Sequence, residues 1–233
     1  MNLKELVQLG IIKIALTGGQ CGGKTNAENY LRYCLSQLGY LVIFVPEVAT
    51  LFKNNGIRPC VEGLTADEFQ KELVQQVIYQ EDRWLSIAKR YSEKGKKIVL
   101  ICDRGTPDGA AYLKDGVFSL MKILRDLGMN PDDKLLHRYH GVIHLRTAAL
   151  GAEKYYNPRR EPSGDYVPPE VARVYDEKFL RMWQDCGYNV CVVDNSTCFE
   201  GKMKRVFEEV CRIMQIPKEL QDTVKRQSKA TYS

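Results

Sequence analysis

The sequence predicts a three-layer α/β fold: a five-stranded parallel sheet with helices on both faces. Two observations predict it. Short apolar runs rich in branched residues alternate with helical patterns, the signature of strands buried on both faces and joined by helices. Between the first such run and the first helix, Gly18-Gly19-Gln20-Cys21-Gly22-Gly23-Lys24-Thr25 matches the phosphate-cradling pattern G-x-x-x-x-G-K-[ST]. At 233 residues the chain fits one domain, expected over 1–214 with a polar tail at 215–233.

The elements follow in order. Ile11–Leu16 reads as the first strand and Asn26–Leu38 as the helix after the glycine-rich turn. Leu41–Val45 is the second strand. A long helical pattern spans Leu64 to Tyr91, with Phe69, Leu73, Val77, Trp84 and Ala88 near one face. Thr65 and Glu68 form a capping box at its start, and Gly95 gives a stop. Phe52 and Trp84 read as core aromatics before they read as pocket walls.

Lys97–Cys102 is the third strand, and Met121, Leu124 and Leu127 are core-facing helix residues. Gly141–Leu145 and Asn189–Val193 complete the sheet. Helices run from about Pro169 to Asp185 and from about Glu200 to Met214, with Asn195-Ser196-Thr197 as cap and turn before the latter. Lys154–Val167 is irregular, punctuated by proline and glycine and carrying Arg159 and Arg160. The stretch from Pro217 to Ser233 reads as frayed or loosely docked.

Composition removes several function classes. Hydrophobic content of 44% and charged content of 27% are ordinary for a globular chain. A net charge of +5 suits an anionic ligand, but there is no concentrated basic stripe, so no nucleic acid partner is expected. No apolar run approaches the ~18 residues of a membrane span, and Met1–Glu5 does not open a secretory leader. A cytoplasmic location is expected. Eight cysteines form no C-x-x-C pair, so neither a disulfide frame nor a zinc site is read from them. Cys21, at a helix N-terminus, is the one thiol with a reason to be reactive. His137, His140 and His144 straddle a helix-to-strand junction and read as structural or surface residues.

The glycine-rich turn carries the chemistry. Glycines let successive backbone N–H groups point at phosphate oxygens, and the following helix adds its positive dipole end. Gly18, Gly19, Gln20, Cys21, Gly22 and Gly23 would cradle the phosphates, Lys24 would reach the outer ones, and the Thr25 hydroxyl would hold Mg²⁺. Asp103, at the end of the apolar strand Ile98–Cys102, would orient the same ion. The residue after it is Arg104, where hydrolytic motors usually carry a glutamate, and no Asn-Lys-x-Asp guanine-reading motif occurs. Those absences favour phosphoryl transfer to a small acceptor. Glu47, in Val45-Pro46-Glu47-Val48-Ala49, puts a carboxylate at the ligand-binding sheet edge, able to orient an acceptor hydroxyl or take its proton. A plain helix-starting glutamate is the other reading. Arg159 and Arg160 are candidate lid arginines over the migrating group, or simply a solvated loop.

With these residues assembled, the chain resembles the kinase-like, AAA-type P-loop domain shared by NadR-type ribosylnicotinamide kinases and the TRPL translocation defect proteins. The resemblance rests on Ala15–Thr25, Val45–Thr50, Ile101–Gly105, Asp108–Tyr112, His144–Ala148 and Asp194–Thr197. Asn157, Arg160, Glu161 and Tyr175-Asp176-Glu177 extend it, so that it runs to about Cys211. It implies the P-loop nucleoside-triphosphate hydrolase fold of kinase type with the P-loop strand central, and binding of ATP or GTP with Mg²⁺. By the same resemblance Arg104 would contact acceptor or phosphate, and Asn195 and Thr197 would lie near the donor base. The family divides between small-molecule kinases and nucleotide-binding regulators. The expected function is therefore transfer of a γ-phosphoryl group to a nucleoside-like acceptor, with a nucleotide-dependent switch acting on a protein partner as the alternative. Lipid-binding roles of larger relatives, attached to an extra C-terminal domain, are not expected here.

Overall fold

The computed structural model describes residues 2–59, 63–158 and 166–231. Strand β1 (Ile11–Thr17) is flanked by β3 (Lys97–Asp103) and β4 (Gly141–Leu145), with β2 (Tyr40–Val45) and β5 (Val190–Val193) at the edges. All four pairings are parallel. The expected five-stranded α/β sheet is thus present, with the P-loop strand in the middle. Register sets Leu16 beside Asp103 and Thr17 beside His144. The root of the glycine-rich turn and the ends of its two neighbours therefore emerge together at the C-terminal sheet edge, where open α/β folds bind ligands.

Side-chain alternation sorts the core into two layers. Ile14, Leu16, Val99 and Ile101 pack against α2 (Lys24–Gln37) and α8 (Phe199–Ile213), through Leu31, Leu35, Val206 and Phe207 among others. Ala15, Leu100, Cys102 and Val142 face the other way, onto Trp84 and Leu85 of α4 (Ala66–Ser92) and Trp183 of α7 (Pro169–Asp185). Helix α4 starts at the Thr65/Glu68 capping box, as its sequence requires. A satellite cluster joins Val74 and Ile78 to α5 (Val117–Asp126) through Leu120 and Leu124, and to Leu135 of α6 (Pro131–Leu135).

Among the described residues, the short helices α1 (Leu3–Gln8), closed by an Asn2/Glu5 capping box, and α6 were not placed from the sequence, and α3 (Val48–Asn54) is the helix that the helix-starting reading of Glu47 allowed. Too few turns are present in them for periodicity to register. A longer helix corrects the reading of a loose tail, since Lys218–Thr231 forms α9. Ile216 and Val224 are buried in the α2–α8 layer, and Gln221 Nε2 donates to the Ile216 carbonyl at 2.8 Å. Among the described side chains of this helix Val224 and Gln221 are the buried ones, a pattern too sparse to stand out among charged residues. Among the described residues no helix is long and apolar enough to cross a membrane.

Candidate active site

The glycine-rich turn is folded against β4, and the fold leaves no room for side chains there. Gly18 has φ 128°, and a Cβ on it would lie 2.1 Å from the Leu145 carbonyl oxygen. Gly23, at φ 92°, is the left-handed residue that opens α2, so that Lys24 and Thr25 form its first turn. Cys21 also has positive φ, at 57°, and its carbonyl accepts from the Ala148 amide at 3.3 Å.

A buried aspartate that the sequence reading left without a role organises this turn. Asp176, on α7, accepts from the Gly19 amide at 2.8 Å and the Thr147 amide at 2.9 Å through Oδ1. Its Oδ2 meets His144 Nε2 at 3.1 Å and Arg146 Nη1 at 2.8 Å. Burial works against its ionisation, but His144, Arg146 and the Thr147 amide outweigh that and hold the carboxyl down at about 2. The signal was available: an acid at 176 interrupts the apolar face made by Ala172, Phe179, Leu180 and Trp183. Thr147 adds a bond from Oγ1 to the Gln20 carbonyl at 2.6 Å.

At the end of β3, Asp103 and Arg104 turn toward α3. Arg104 adopts φ 69° and is pinned by its amide to the Leu16 carbonyl at 2.8 Å. Its Nε donates to Glu47 Oε1 at 2.5 Å, and its guanidinium lies 4.3 Å over the Phe179 ring. Thr50 donates to the other Glu47 oxygen at 2.6 Å. Although Glu47 is the residue before α3, its side chain caps nothing; it faces Arg104 instead. Burial favours the neutral form of Glu47, yet the charges of Arg104 and Lys24 win and lower it to about 2. Asp103 goes the opposite way, to about 6, raised by burial and by Glu47 against the pull of Lys24. Its buried Oδ1 has no hydrogen-bond partner. An orphaned carboxylate oxygen beside the P-loop is what a bound cation would satisfy, so the donor set fits Mg²⁺. Glu28, one turn into α2, is lifted to about 7 by burial and the nearby Asp103 charge, and was not foreseen.

Two cavities meet at this pair. One is lined by Gln20, Lys24, Thr50, Tyr175 and Phe179, the other by Phe69, Gln70, Leu73, Val74 and Val77 of α4, and both share Glu47, Lys53, Arg104 and Tyr112. This explains why Leu73 and Val77 are only half-buried on an apolar helix face: they wall a cavity. Phe52 stacks edge-on against Phe69, behind the wall, while Trp84 belongs to the core.

The remaining expected site residues divide. Asn195 Nδ2 donates to the Thr147 and Leu150 carbonyls at 2.8 and 2.7 Å, and its Oδ1 accepts from the buried Lys202, so it shapes the loop resting on the P-loop. Thr197 lies one residue before the α8 cap. Arg159 and Arg160 lie outside the described residues. The histidines diverge, His140 binding the Lys13 amide and His144 binding Asp176. No cluster of potential metal ligands is formed among the described residues by histidine, cysteine or acids.

A family model described as an AAA domain matches residues 13–200, from β1 into α8. The chain belongs to this AAA-domain family. The matched span of this AAA domain contains the P-loop, Glu47, Asp103, Arg104 and Asp176. No curated protein sequence matches the chain significantly. Among solved structures, the AAA domain is similar to a deoxyadenosine kinase from M. mycoides with dCMP and dCDP bound, at TM-score 0.52 and 16% identity over 85% of this chain and 98% of that one. It is also similar to thymidylate kinase from Ehrlichia chaffeensis, at TM-score 0.53 and 17% identity over 88% and 99%. At such identities the likeness establishes the fold, that of P-loop nucleotide kinases.

Proposed function

We propose that this AAA domain is a phosphotransferase that moves the γ-phosphoryl group of ATP or GTP onto the hydroxyl of a small nucleoside-like acceptor. One observation carries the reading: the Glu47–Arg104 pair stands where a cavity on the P-loop side meets a cavity on the α4 side. A donor and an acceptor seated on either side would place the reacting oxygens at that junction.

Lys24 and the amides of Gly18–Gly23 would hold the donor phosphates. Mg²⁺, held by the Thr25 hydroxyl and Asp103, would neutralise charge on the phosphate oxygens. Glu47, kept ionised, would accept a hydrogen bond from the acceptor hydroxyl and fix its direction. Arg104 holds Glu47 in place and adds positive charge beside the path of the phosphoryl group. Such a transfer needs little covalent help, so positioning and electrostatics supply most of the acceleration. In the same reading Arg159 and Arg160 cover the migrating group, and Asn195 and Thr197 border the donor base.

The test is a thermal-shift panel of nucleotides with Mg²⁺, followed by phosphoryl-transfer assays on nucleosides, nicotinamide riboside among them because of the family resemblance. ATP or GTP should raise the Tm by mass action, and at least one nucleoside should be converted to its monophosphate. A GTP response with no acceptor turned over would instead favour the switch.

A further inference from the structure

Resting on that reading, we infer that the α4-side cavity takes an uncharged nucleoside rather than a nucleoside monophosphate, with the Gln70 carboxamide binding an N–H on the edge of its heteroaromatic ring. Gln70 is 7% exposed and lines the cavity, and its buried Oε1 has no hydrogen-bond partner. The neighbouring amide is accounted for: Gln80 Nε2 donates to the Pro46 carbonyl at 2.7 Å and so props the residue before Glu47. An orphaned buried carbonyl oxygen costs free energy until a donor fills it. The walls around it are apolar, from Phe69, Val74 and Val77, and opposite it stands Gly109, whose Cβ would come 3.7 Å from Oε1 and 3.2 Å from Val74. A flat ring with one polar edge suits such a slot.

The charges argue against an acceptor phosphate. Glu47, Glu81, Asp103 and Asp108 line this cavity, against Lys53 and Arg104 as its cations. Arg104 is bound to Glu47 and lies 3.6 Å from Asp108, while the charge of Glu81 is met by Lys13 and Arg138. A dianionic monoester would have to compete with Glu47 and Asp108 for Arg104. A neutral nucleoside would not, and in this pose its sugar hydroxyl faces the Glu47 end while its ring edge meets Gln70.

The experiment uses the full chain with ATP and Mg²⁺. The acceptor pairs are adenosine against purine riboside, cytidine against 2-pyrimidinone riboside, and uridine against 3-methyluridine, with AMP, CMP and UMP as charged controls. Binding is read by thermal shift and turnover by phosphoryl transfer. We expect the N–H-bearing member of one pair to bind about ten-fold tighter than its partner, and the monophosphates to be poorer than their nucleosides. Gln70→Met, similar in length but without the carboxamide, should abolish the discrimination within the pair by raising KM rather than lowering kcat. The wild-type comparison stands by itself if that variant fails to fold. Preference for monophosphates, no nucleoside binding at all, or discrimination unchanged in Gln70→Met overturns the inference. Discriminating nucleoside binding without turnover leaves the Gln70 contact standing and removes the phosphoryl-transfer reading.

Discussion

Arg104 Nε donates to Glu47 Oε1 at 2.5 Å, and Thr50 donates to the opposite oxygen at 2.6 Å, so the Glu47 carboxylate is held by two donors from two elements. In the proposed reading a carboxylate fixed in this way directs the acceptor hydroxyl, and the Arg104 charge beside it, which holds it well below the usual carboxylate range, makes it a weak proton acceptor. Glu47→Gln keeps the shape and removes the charge. It should lower kcat for nucleoside phosphorylation by about 100-fold or more while nucleotide thermal shifts remain. Equal turnover by the variant would remove Glu47 from the reaction.

In the proposed reading Lys24 is the separate handle on the donor. It opens α2 beside the turn and contributes to the field on both Glu47 and Asp103. Lys24→Met should erase the Tm rise given by ATP or GTP with Mg²⁺ and leave the Tm of the ligand-free protein within a few degrees. A nucleotide shift equal to that of wild type would mean that the triphosphate sits elsewhere.

Much of this was legible from residues alone, for physical reasons. The P-loop is a local device: its glycines, lysine and threonine are contiguous, and flanking strand and helix patterns supply the context. Asp103 and Glu47 could be placed because strand ends in a parallel sheet share one edge. What could not be read depends on contacts between distant segments. Gly19 meets Asp176 across 157 residues of sequence. Gln70 looks like an ordinary polar residue on a long helix until Leu73, Val77 and Gly109 are seen to leave a cavity around it. Likewise Lys13 reads as an intrusion in an apolar strand, and only the fold supplies Glu81 at 2.5 Å to pair with it.

That buried pair leads to a third expectation. Tyr139 donates from its hydroxyl to Glu81 Oε1 at 2.6 Å and accepts from the Thr106 amide at 2.9 Å, linking the Lys13–Glu81–Arg138 cluster to the turn after Arg104. Tyr139→Phe leaves the ring packed on Trp183 and strips both bonds. It should destabilise the protein by about 2 kcal/mol, the cost of leaving a buried amide and a carboxylate oxygen short of partners. Urea unfolding should show the midpoint fall with the slope unchanged.

Asp176 makes a pH-dependent claim. Its carboxyl is at about 2 in the folded protein against an ordinary 3.8, with burial opposing the shift and His144, Arg146 and the Thr147 amide producing it. A folded pKa below the unfolded one means the unfolded chain binds the proton first. The stabilisation is therefore full above about pH 4 and drains away as pH falls toward 2, by about 2 kcal/mol in total. Asp176→Asn removes the charge that holds Arg146 and two backbone amides, and should cost about 3 kcal/mol at pH 7. Because the asparagine does not titrate, the gap between wild type and variant should narrow by about 2 kcal/mol between pH 5 and pH 2, measured by denaturant unfolding of both proteins. A gap constant across that interval would show that some other group fastens α7 to the P-loop.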